Sequence, residues 1–149
     1  MVKQLVTTII FFCAVFCFPI TLADSLDKAL AAYAEHDIET AITILTDLAS
    51  NEDKQALMHL AKIQMRAGSP NEALKITKRL VLNYPDDADA HHAYGIANLT
   101  MMSEVGVFKL VSITKQARAS WDQAVKLDPN HLDGLYALFS YYANAPRIC

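Results

Sequence analysis

The sequence predicts an all-α protein: a solenoid of about three and a half antiparallel helix pairs, with the third hairpin lengthened. Three observations predict it. Strand signals are missing, with no sustained period-two alternation and no Asn-Gly or Asp-Gly hairpin turn between strand-like runs. From residue 24 onward, apolar residues recur three and four positions apart among Ala, Leu, Lys and Gln. Short Gly- or Pro-containing breaks then divide the helical stretches at near-regular intervals. The 149 residues suffice for one ordinary domain. With 53% apolar residues, five Pro and four Gly, the chain is neither disordered nor low-complexity. A formal charge of −3 counts against a nucleic-acid binder, which needs a cationic face.

Residues 1–23 read as a signal peptide. Lys3 gives a positive start, Leu5 to Ile20 is an uncharged apolar run, and Thr21-Leu-Ala23 offers a small residue at a cut site before Asp24. Pro19 breaks a helix where a peptidase needs extended chain. The rival reading is a membrane anchor, for which the run is short. The expectation is an exported protein, periplasmic or secreted, with residues 24–149 as its helical repeat domain. Of three cysteines, Cys13 and Cys17 would leave with the signal, and Cys149 alone cannot form an internal disulfide.

The helices follow in order. The first pair is the weakest, with His36-Asp-Ile-Glu-Thr-Ala41 marking the turn into its second helix. Leu57, Leu60, Ala61 and Met65 share one helical face; Ala73, Leu74, Ile76, Leu80 and Val81 share the next. Between them, Gly68 suits a left-handed C′ position, Ser69 a cap and Pro70 a first turn. Pro85 stops that pair, and Asp86 and Asp87 favour a new start. Ala73-x3-Thr77-x7-Pro85 then recurs as Ala117-x3-Trp121-x7-Pro129, and Leu57-x2-Leu60-Ala61 as His91-x2-Tyr94-Gly95.

This pattern resembles the tetratricopeptide repeat, W-x2-L-G-x2-Y, A-x3-F and P over about 34 residues. Trp121-Asp-Gln-Ala-Val-Lys-Leu-Asp-Pro-Asn130 is similar to that family's second helix and exit turn. The resemblance implies a right-handed superhelix with repeats at 24–53, 54–87 and 88–131, and half a fourth from Leu132. Asn144-Ala-Pro-Arg-Ile148 is similar to the repeat-end segment of a group of exported bacterial members of the family.

Two departures stand out. The distance from Pro85 to Pro129 exceeds the family period by about ten residues. Val107, Leu110, Val111, Thr114, Ala117, Trp121 and Ala124 hold helical register through the insert, so two lengthened helices should meet near Ser103–Gly106. The tip carries Met101, Met102, Val105, Val107 and Phe108. Either these pack inside the long hairpin, or they form an apolar patch that docks a partner. Secondly, Leu132, Leu135, Tyr136, Leu138, Phe139 and Tyr142 make an apolar first helix with no second helix after it. Either the product is truncated, or that helix self-associates with a second subunit.

No GxGxxG, GxxxxGK[ST], HExxH, CxxC or GxSxG string is present. Asp86, Asp87, Asp89, His91 and His92 read as helix-start residues rather than a metal site. The expectation is a non-enzymatic protein with no catalytic residue, cofactor or metal. By the resemblance, first helices line a concave groove at Leu26, Leu30 and Tyr33; at Met58, Lys62, Met65 and Arg66; and at His92, Ile96, Leu99, Tyr136 and Ser140. Lys62 and Arg66 are the cations of that set, too few for the family's carboxylate clamp. The expected ligand is therefore an apolar or amphipathic protein segment bearing one acidic residue, with Lys62 and Arg66 setting its register. The alternative is a small-ligand or transport-assembly component, which an enclosed cavity would favour over an open groove.

Overall fold

The computed structural model describes residues 22–144. It contains seven α-helices and no strand among those residues: α1 (Leu22–Ala34), α2 (Ile38–Ser50), α3 (Lys54–Arg66), α4 (Pro70–Asn83), α5 (Ala88–Thr100), α6 (Val107–Leu127) and α7 (Leu132–Asn144). A single 3-10 turn, Met101–Ser103, follows α5. The signal-peptide residues 1–21 and the last five residues, Cys149 included, lie outside the described part. Leu22 and Ala23 of the expected leader belong to α1.

Each helix packs against the next, and α3 also meets α5 as α5 meets α7. Contacts between alternate helices are what stacked hairpins produce, with the first helices side by side along one face. The chain is an α-solenoid of antiparallel pairs, as the sequence predicts.

Local chemistry sets the boundaries. Asp37, Asp53 and Asp87 each cap a helix by accepting the backbone N–H three residues on, from Thr40 at 3.1 Å, Ala56 at 2.7 Å and Ala90 at 2.9 Å. Pro70 opens α4 at its first turn. The α3–α4 connection places Gly68 at φ 73°, a left-handed position that costs glycine nothing. His36 fills the equivalent place at φ 65° between α1 and α2.

The core forms along the hairpin seams. Leu45, Leu57 and Leu80 are its largest fully buried apolar side chains, and a second cluster gathers around Ala117, Trp121 and Ala137. Between hairpins, Arg79 Nη2 donates to the Ala49 carbonyl at 2.6 Å, and Tyr84 Oη donates to the Glu52 carbonyl at 2.6 Å. Both tie α4 and its exit to the end of α2 and the turn that follows it. Lys54, at the start of α3, pairs with Asp87, the cap of α5.

One expectation needs correction. The insert does not lengthen both helices of the third hairpin. α5 has 13 residues like its counterparts, and α6 alone grows to 21. The chain leaves α5 through the 3-10 turn, where the Thr100 hydroxyl bonds back to the Ala97 carbonyl at 2.8 Å. The first turns of α6 therefore project, with Val107 and Phe108 fully or largely exposed, and do not pack inside the hairpin.

Candidate binding groove

A groove of about 750 Å³ opens between α5 and α7, with α6 as its floor. Ile96 and Leu99 form the α5 wall, Trp121 and Thr114 the floor, and Tyr136, Ala137 and Tyr141 the α7 wall. Polar groups stand among them: His92, Asp133, Ser140 and Asn144.

The floor exists because α5 carries no side chain where the indole crosses it. Trp121 is 2% exposed, and a Cβ on Gly95 would lie 2.6 Å from its Cδ1. The ring is thereby held against α5 beneath the groove, its N–H without an acceptor among the described residues.

A histidine pair closes one end. The His92 and His131 rings lie 5.4 Å apart at 55°. His131 Nδ1 accepts from the Gly134 N–H at 2.9 Å, so the ring proton sits on Nε2 and is donated to Asp89 Oδ1 at 3.0 Å. Burial pushes the His92 pKa below 6.5, and His131 adds to that shift while Asp133 and Asp89 oppose it. Asp133 is the lining's carboxylate, and no Lys or Arg lines the groove.

Of the sequence-predicted residues, His92, Ile96, Leu99, Tyr136 and Ser140 come together here. Met102, expected in the hairpin-tip patch, lines the groove as well, whereas Met101 is half-buried and Val107 and Phe108 project from α6. Met58, Lys62, Met65 and Arg66 do not line it. They sit on α3, where Met58 packs against the main core and Arg66 Nη1 donates to Tyr33 Oη at 2.8 Å. Sequence reasoning missed Thr114 and Trp121 as floor residues, and Asp133, Ala137, Tyr141 and Asn144 on α7. The signal for the last four was available in the fourth repeat, whose first helix has no second helix beside it among the described residues. Residues of an ordinary repeat seam thereby become a groove wall.

Residues 32–95 match the tetratricopeptide repeat family. Those residues carry the tetratricopeptide repeat. Solved structures of this repeat class share its fold. TTC0263 from Thermus thermophilus superposes with a TM-score of 0.72 at 21% identity, over 83% of this chain and 65% of that one. The present chain thus spans just under two thirds of that protein. The Sgt2 domain from Aspergillus fumigatus gives 0.67 at 16% identity, over 82% and 77%. The first such domain of Spaghetti (RPAP3), solved with the HSP90 peptide SRMEEVD, gives 0.66 at 13% identity, over 82% and 90%. No curated protein matches the sequence. The matches indicate no enzymatic family.

Proposed function

We propose that this protein is a non-enzymatic interaction scaffold that holds an apolar or amphipathic protein segment in the α5–α7 groove. The observation that carries the reading is the groove itself: open, of about 750 Å³, floored by Trp121 and walled by Ile96, Leu99 and Tyr136. A related fold holds a peptide, the HSP90 segment on the RPAP3 domain. Tyr136 is 72% exposed, so an incoming side chain has an unburied aromatic face to cover.

The charge of the expected segment changes sign. Lys62 and Arg66 lie away from the groove, and Asp133 stands in it. A basic residue, not an acidic one, complements that lining, and an unpaired acidic residue there would meet like charge. Openness favours a segment over an enclosed small ligand, the other use considered for this chain.

Trp121 is the one tryptophan of the sequence, so its fluorescence reports groove occupancy directly. Titration with short synthetic leucine-rich peptides, alike except for lysine or glutamate at one position, tests the reading. Saturable change with the lysine peptide supports it; no change with either peptide defeats it. We further propose export, on the strength of the 1–23 pattern; fractionation of expressing cells, with the mass of the recovered N-terminus, tests that separately.

A further inference from the structure

We propose that α7 pairs with α7 of a second copy, antiparallel, about a two-fold axis level with Ala137. The outward side of α7 carries Leu132, Leu135, Phe139 and Tyr142, which are 78%, 40%, 69% and 56% exposed. No charged residue interrupts this stripe.

A further repeat helix is the wrong occupant. Leu135-x2-Leu138-Phe139 takes the place of Leu57-x2-Leu60-Ala61 and His91-x2-Tyr94-Gly95. Phe139 thus stands where Ala61 and Gly95 let the second helix of each hairpin approach, and those two are buried by that approach. At Gly95 even a Cβ would collide with Trp121. A phenyl ring at this place keeps a helix from closing as α6 closes on α5, and calls for a partner that meets it differently.

A second α7 does so. The stripe steps by three, four and three residues, a spacing that reads the same in reverse. Antiparallel pairing therefore sets Leu132 opposite Tyr142 of the second copy and Leu135 opposite Phe139, so large side chains interleave along the whole helix. Charge agrees with this register. Arg118, on α6, donates from Nη1 to Tyr142 Oη at 3.3 Å and sits 3.6 Å from Asp122, marking one end of the stripe. Asp128, whose Oδ1 accepts from the Asn130 N–H, marks the other. The two-fold brings Arg118 of each copy toward Asp128 of the other. The groove lies on another side of α7 and stays open, so the two proposals stand or fall separately.

Sedimentation velocity of the full chain over a micromolar concentration range tests the pairing. A reversible dimer is expected. Phe139→Glu should raise its dissociation constant on the order of a hundredfold while the helical circular dichroism is unchanged, since that side chain is exposed in the single copy. Arg118→Glu and Asp128→Arg should each weaken the dimer several-fold, and the two together should restore it. A monomer at every concentration overturns the proposal, as does a dimer indifferent to Phe139→Glu, which is what association through the N-terminal apolar run or another surface would give. Failure of the charge exchange to restore pairing overturns the antiparallel register.

Discussion

Trp121 lies across Gly95 so closely that the third hairpin has no room for the smallest side chain at residue 95. The indole is both the centre of the second core cluster and the floor of the groove. Stability of the last hairpin and shape of the proposed binding surface therefore depend on one close approach.

Gly95→Ala should destabilise the protein for this reason. Alanine is better than glycine within a helix by about 1 kcal/mol. Against that, the ring must shift in a packed seam, which costs roughly 1–3 kcal/mol. The net expectation is a lower midpoint in chemical denaturation and an altered Trp121 emission in the folded state. A variant more stable than the parent, with unchanged emission, would show that the ring gives way freely.

The proposed groove yields a second expectation. Tyr136→Ala should weaken binding of the lysine peptide roughly tenfold with little change in unfolding midpoint, because the ring is mostly exposed in the free protein. Asp133→Lys should invert the preference between lysine and glutamate peptides. Lys62→Glu with Arg66→Glu should leave both affinities unchanged, since neither side chain lines the groove. Weakened binding in that double variant would return the site to the α3 face.

Much of this architecture is legible in the sequence because it rests on the alternation of small and bulky residues. Ala61 and Gly95 announce close approaches, Thr77 and Trp121 fill the gaps, and the prolines at 85 and 129 end the pairs. The length of α6 is readable for the same reason: its apolar register never lapses. The end of α5 is not, since no glycine or proline stands between Thr100 and Ser103, and the turn depends on a hydroxyl folding back onto a carbonyl. Pattern alone also assigns Met58 and His92 to equivalent positions. Only packing separates them, setting Met58 against the first core while His92 borders the groove between α5 and α7.

The link between Lys54 and Asp87 spans two hairpins and also involves a cap. The Asp87 carboxylate is pushed up by burial but held below 3.8 overall by Lys54 and by the Ala90 N–H. Asp87→Ala removes cap and ion pair together and should cost about 1–2 kcal/mol. Asp87→Asn keeps an acceptor for Ala90 and should cost clearly less. Equal losses in the two variants, measured by urea unfolding, would show that the ion pair and not the cap holds the start of α5.

Acid sensitivity should trace in part to His92. Its pKa is lowered by burial first and by His131 second, against the opposing carboxylates of Asp133 and Asp89. The unfolded chain takes up this proton as pH falls through 6.5, whereas the folded chain does so only at lower pH. Between those two points the unfolded state binds more protons, so stability is full above 6.5 and declines below it. His59, also lowered by burial, contributes with the same sign. His92→Gln should therefore reduce the loss of stability between about pH 7.5 and about pH 5.5 without abolishing it. Urea midpoints at the two pH values give the comparison. An undiminished loss in His92→Gln would place the sensitivity at His59 or elsewhere, and would mean that the ring at the end of the groove takes its proton as readily folded as unfolded.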